Sequence, residues 1–93
     1  MTIGILKLVI FIPQSNSLKE KRMILNSLNK RLRNNFNIAV TQIDNEDKWQ
    51  KSTLALVGVE KNKDNMHRLL SRILNFIENF HQAHLIDYEM ELI

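Results

Sequence analysis

Few residues in this chain have the type and spacing for chemistry. His81 and His84 stand at i and i+3, a spacing that a metal can use. Asp87 is the one carboxylate close by, the chain has no cysteine, and His67 lies apart from them. The other reading is three surface imidazoles, and the expectation is no metal site and no cofactor. Asp44, Glu46 and Asp47 form an acidic cluster that could hold a hard cation, but it lacks the Gly and terminal Glu of an EF-hand loop. A solvated turn is the better reading. Nucleophilic catalysis has no support, because there is no G-x-S-x-G and no Ser, His and Asp are spaced to suggest a triad. Gly4 and Gly58 sit inside apolar strand patterns rather than in a phosphate-cradling turn, so they mark a bulge or close packing. Asp87, Glu89 and Glu91 alternate strictly and read as a solvated strand face, not as an acid–base pair. The chain is therefore expected not to be an enzyme and to have no small-molecule substrate.

One cluster stands out. Six of the thirteen Lys and Arg residues lie between Ser17 and Arg33: Lys19, Lys21, Arg22, Lys30, Arg31 and Arg33, against the single acid Glu20. At about 100° per helical residue, Lys19, Arg22, Lys30 and Arg33 share one arc opposite or beside a leucine stripe. Such a face suits a phosphate backbone and makes these six residues the candidate nucleic-acid-binding set, with ribosomal or other structured RNA as the partner. Arg68 and Arg72, with Lys61 and Lys63, would extend it if two helices lie side by side. The alternative is a solvated face that keeps the protein soluble. Cations in the first turn of a helix oppose its macrodipole, which points to a use other than stability.

These residues need elements to position them. Ile3 to Ile12 reads as a buried strand ending at Pro13, with Leu6, Leu8, Ile10 and Ile12 on one face. Ser17 and Glu20 form a capping box that starts a helix at Leu18. Its apolar stripe is Leu18, Leu25, Leu28 and Leu32, with Ile24 at the edge, and Asn34 and Asn35 offer a left-handed stop. Phe36 to Asp44 and Lys51 to Glu60 read as a hairpin. Asn62 to Asn65 supplies cap candidates for a second helix whose core face is Met66, Leu69, Leu70, Ile73, Ile77 and Phe80. Leu85 to Ile93 alternates as a half-exposed edge strand.

The order β-α-β-β-α-β predicts an α+β fold, a ferredoxin-like βαββαβ sandwich: a four-stranded antiparallel sheet with both helices on one face. The uncovered face would carry Ile3, Ile5, Val9 and Phe11, together with Asp87, Glu89 and Glu91, which repel phosphate. Nucleic acid is therefore expected at the helices. The sheet has no aromatic run of the RNA-recognition type. Its apolar face instead suits a protein partner or a second copy of the chain, as a homodimer. Trp49, at the hairpin tip, either folds back on the sheet or serves such a partner as an anchor.

With 93 residues, 44% of them hydrophobic, the chain is expected to be one globular domain, residues 1–93. The longest apolar run, Leu8 to Ile12, is too short for a bilayer, and no signal-peptide pattern precedes it. A cytoplasmic location with no membrane partner is the expectation, and the lack of cysteine fits a reducing compartment.

Pro13-x-x-x-Ser17-Leu18-Lys19-Glu20-Lys21-Arg22 resembles the P-x-x-x-S-L-K-x-K-R segment of the YlxP-like proteins, a family of small bacterial proteins of unestablished function. Phe36-Asn37-Ile38 resembles the family's F-N-[VI] strand, and Asp47-x-Trp49-Gln50 its D-x-W-Q hairpin. Leu74-Asn75-Phe76-Ile77-Glu78 is similar to its last helix. The resemblance covers essentially the whole chain. It implies a ferredoxin-like fold and a gene setting among transcription elongation, translation initiation and ribosome maturation. It brings no catalytic residues.

Overall fold

The computed structural model describes residues 1–13, 15–43 and 50–93. Its elements are β1 (Thr2–Phe11), α1 (Leu18–Asn35), β2 (Ile38–Gln42), β3 (Lys51–Glu60), α2 (Lys63–Glu78) and β4 (His84–Leu92). The strands form one antiparallel sheet in the order β2-β3-β1-β4, the ferredoxin-like arrangement. Both crossovers pass over the same face, because the period-2 pattern of β1 and β3 leaves one side largely apolar, with Thr2 and Ser52 its buried polar residues. Leu6, Leu8, Ile10, Leu54 and Leu56 point to that side and pack with Leu25, Leu28 and Leu32 of α1 and Met66, Leu70, Ile73 and Ile77 of α2.

The two glycines mark close approach. Gly4 and Gly58 are cross-strand partners in β1 and β3. A Cβ at Gly4 would lie 2.8 Å from Met66 Cγ, and one at Gly58 would lie 3.1 Å from Leu69 Cδ2. The first half of α2 thus rests on a gap in the sheet where no side chains stand.

Local signals start and stop α1. The Glu20 amide donates to Ser17 Oγ at 3.1 Å, as a capping box requires. The Glu20 carboxylate takes a different donor: the Asn16 amide, at 2.8 Å, rather than the amide of the cap itself. Ser15, fully buried, donates its hydroxyl to the Ser17 carbonyl at 3.0 Å and fixes the entry angle of the chain. The expected left-handed stop does not occur, since no described non-glycine residue has positive φ. Phe36 turns extended and donates its amide to the Leu32 carbonyl, while Asn35 Nδ2 donates to the Arg31 carbonyl at 2.8 Å. The amide side chain closes the helix without the αL conformation. At α2 the Asn65 amide donates to Asn62 Oδ1 at 2.8 Å, which identifies Asn62 as the cap.

β4 is an edge strand, but its alternation is interrupted. The register with β1 shifts between Val9 and Ile10, so that Leu85, not Ile86, stands opposite Ile10. Tyr88 and Met90 share the side of their partners Leu8 and Leu6, yet Tyr88 stays 49% exposed because the helices cover this edge incompletely.

Candidate nucleic-acid interface

The basic residues of α1 divide into three groups. Lys19, Arg22, Lys30 and Arg33 are exposed and lie on the arc facing away from the leucine stripe. Among the described residues Lys19, Lys30 and Arg33 make no ion pair, whereas Arg22 has an interaction of its own. Lys21 does not belong to this surface. It is 2% exposed, has an interaction of its own, and occupies a core position between Leu18, Leu25 and Leu28. The 3-4-3-4 spacing from Leu18 through Lys21, Leu25, Leu28 and Leu32 contained this signal, since an unbroken helical stripe buries whatever occupies it. Arg31 faces the other flank of α1, toward α2, where its guanidinium carbon lies 5.5 Å from the Phe80 ring centroid.

Antiparallel packing of the helices brings Arg72 to the end of α1. Its guanidinium carbon lies 5.6 Å from the Phe36 ring centroid, and Phe36 meets Phe76 edge-on at 5.7 Å. Arg68 is engaged locally, donating from Nη1 to Asn65 Oδ1 at 3.0 Å. Glu20, the one acid of α1, is held by the Asn16 amide at the start of the helix. On the side of α1 nearest β2, Asn29 Oδ1 and Gln42 Nε2 are buried without a hydrogen-bond partner: an acceptor on one element and a donor on the strand packed beneath it.

The opposite sheet face has a different chemistry. The register sets Val59, Ile3 and Ile93 in one row, Val57, Ile5 and Glu91 in the next, and Ala55, Lys7 and Glu89 below them. Thr53, Val9 and Asp87 follow, then Lys51, Phe11 and His84. The face is thus apolar at Ile3, Ile5, Val9 and Phe11 of β1 and at Ala55, Val57 and Val59 of β3, interrupted by Lys7, Thr53 and Lys51, with Lys7 beside three acids on β4. Val59 is 55% and Phe11 36% exposed, while Ile3, Ile5 and Val9 are half-buried.

Residues 3–90 match the family described as "Protein of unknown function (DUF503)". The chain belongs to this family. It is 32% identical over 78 residues to the uncharacterized protein YlxP of Bacillus subtilis (strain 168), covering 84% of this chain and 85% of that one. Among solved structures, the DUF503 chain is similar in fold to the de novo designed protein Foldit4, with TM-score 0.53 and 11% identity over 100% of this chain and 97% of that one. It is also similar to SnoaB, a cofactor-independent oxygenase from Streptomyces nogalater, with TM-score 0.54 and 13% identity over 99% of this chain and 90% of that one. At such identities the likeness extends to the fold alone.

The remaining sequence expectations fall as follows for this DUF503 chain. His67, His81 and His84 are all exposed. Among the described residues no three His, Asp or Glu side chains converge to hold a metal. No described helix is long and apolar enough to cross a membrane. The acidic cluster Asp44, Glu46 and Asp47 and the Trp49 anchor lie outside the described residues. The two arginine–phenylalanine stacks were not anticipated, since they join residues of distant segments and no local pattern announces them.

Proposed function

We propose that this chain is a non-catalytic accessory protein that docks structured RNA, of the kind found in ribosomes, through the outward arc of α1. The observation that carries the reading is the arc itself: Lys19, Arg22, Lys30 and Arg33 all face solvent on one side of a single rigid helix. The only acid of that helix is turned to a backbone amide at its start. A row of cations at fixed spacing fits a phosphate backbone and carries little sequence information, as expected of a shape-reading accessory. The acids of β4 disfavour the same partner at the sheet. The test is sedimentation of the tagged protein with ribosomal fractions of its own host. The protein should travel with them at low salt and leave them as salt rises. Absence from those fractions at low salt would count against the reading.

A second reading rests on the sheet. The apolar rows through Val57, Val59, Ile3, Ile5 and Phe11 give one helix-free face the composition of an interface centre. Its occupant in this reading is a second copy of the chain. Pairing two such faces leaves both α1 arcs outward, so the two readings are compatible.

A further inference from the structure

We infer that the groove between α1 and α2 is a second phosphate-binding subsite, in which Arg31 and Arg72 take the phosphodiesters of an RNA strand. This inference rests on the proposed RNA reading and extends it to the other flank of the same helix.

Two adjoining hollows of about 340 and 350 Å³ run along this groove and share Phe76 and Asn79. Their lining holds Arg31 and Arg72, amides, phenylalanine rings and His81, and it contains no carboxylate. Each arginine is held against a ring, Arg31 by Phe80 and Arg72 by Phe36. Among the described residues neither donates a hydrogen bond or makes an ion pair, so the guanidinium donors are positioned but unspent. Fixing a guanidinium on an aromatic face removes much of the side-chain entropy that a phosphate would otherwise have to immobilise.

A structural explanation competes with this one. Both helices end at the groove, and cations near helix C-termini offset the macrodipole. That effect corresponds to about half a charge per helix end, and the last carbonyls are already partly satisfied by Asn35 and Asn79. Two full positive charges against two partial negative ones leave the groove cationic.

The geometry also suits one RNA molecule meeting both surfaces. Arg31 lies within α1 and Phe36, the residue beneath Arg72, caps its end, so the two guanidinium groups border the same groove. α1 with its side chains is about 10–12 Å wide, so two backbones of a folded RNA can pass on either side of it.

The test compares two double variants against a fluorescent RNA hairpin over a salt series. Arg31→Gln/Arg72→Gln alters the groove, and Lys30→Gln/Arg33→Gln alters the arc. The groove variant should bind at least tenfold more weakly at low salt, and its log–log salt slope should flatten by about one to two units. Arg31→Lys/Arg72→Lys keeps the charges without the planar guanidinium and should recover part of that loss, which a merely structural role would not require. Thermal unfolding of each variant checks the fold. If the groove variant binds like the parent while the arc variant fails, the subsite is refuted and the RNA reading stands. If the groove variant fails with its fold intact and the arc variant binds normally, the subsite stands and the arc is wrong. If both bind normally, both are wrong. Loss of affinity in step with loss of folding, without recovery by lysine, also overturns the subsite.

Discussion

Gly4→Val is expected to destabilise the chain by about 2–3 kcal/mol, the upper part of the usual range for overpacking a core. A Cβ at this position already falls 2.8 Å from Met66 Cγ, and valine adds two methyl groups in the same space. Met66 is fully buried, so it cannot swing into solvent to make room. Two effects act in the opposite direction. Removing a glycine restricts the unfolded chain, and valine suits a strand; each contributes up to about 1 kcal/mol. The clash should outweigh them because the facing residue Gly58 is itself under Leu69 and leaves the sheet no direction in which to relax. Urea unfolding measures the effect. A double variant with Met66→Ala identifies the cause, since the cavity left by Met66 should accept the valine and the two losses should add to less than their sum. Simple additivity would show that Met66 is not the obstacle.

The second large effect concerns the sheet. Two strands of ten residues, one of nine and one of five, about 4.8 Å apart at about 3.4 Å per residue, present roughly 550 Å² of flat area per copy. A face-to-face pair then buries about 1,100 Å², at the lower limit for a specific interface. The protein is therefore expected to self-associate at micromolar concentration, and light scattering should report twice the 11.0 kDa chain mass. Val57→Glu/Val59→Glu places two charges in the centre of the apolar rows and should return the protein to a monomer. Both side chains are exposed in the single chain, so its thermal stability should change little. A parent protein that remains monomeric from low to high micromolar concentration would rule out the pairing.

The amphipathic elements were legible because burial enforces a period. Leu6, Leu8 and Ile10 on one side of β1, and Met66, Leu69, Ile73 and Ile77 on one side of α2, could be read off directly and carried the topology with them. Lys21 was misplaced because charge was counted before position. The stripe through Leu18, Leu25 and Leu28 takes whatever residue its spacing includes, and a lysine stem can follow it inward. The register shift in β4 had no sequence mark, since Leu85 and Ile86 are both apolar and only pairing with Val9 and Ile10 separates them. The stop of α1 was visible as an asparagine pair, but the choice between a left-handed turn and a side-chain cap depends on where Phe36 must go to meet Phe76. The same long-range packing creates the arginine stacks, which is why the groove could not be seen in the chain alone.

The central claim is that the α1 arc holds a phosphate backbone, and a salt series tests it most directly. Fluorescence anisotropy with a labelled ribosomal RNA hairpin would compare the parent with Lys30→Gln/Arg33→Gln. Glutamine keeps helix propensity, and neither side chain makes an ion pair among the described residues, so the fold should be retained. Four cations in contact with phosphate contribute a log–log slope of roughly −3 to −4. The variant should bind more weakly at low salt, and its slope should flatten by about two units. Unchanged affinity and unchanged slope in a folded variant would mean that the arc is only a solvated face.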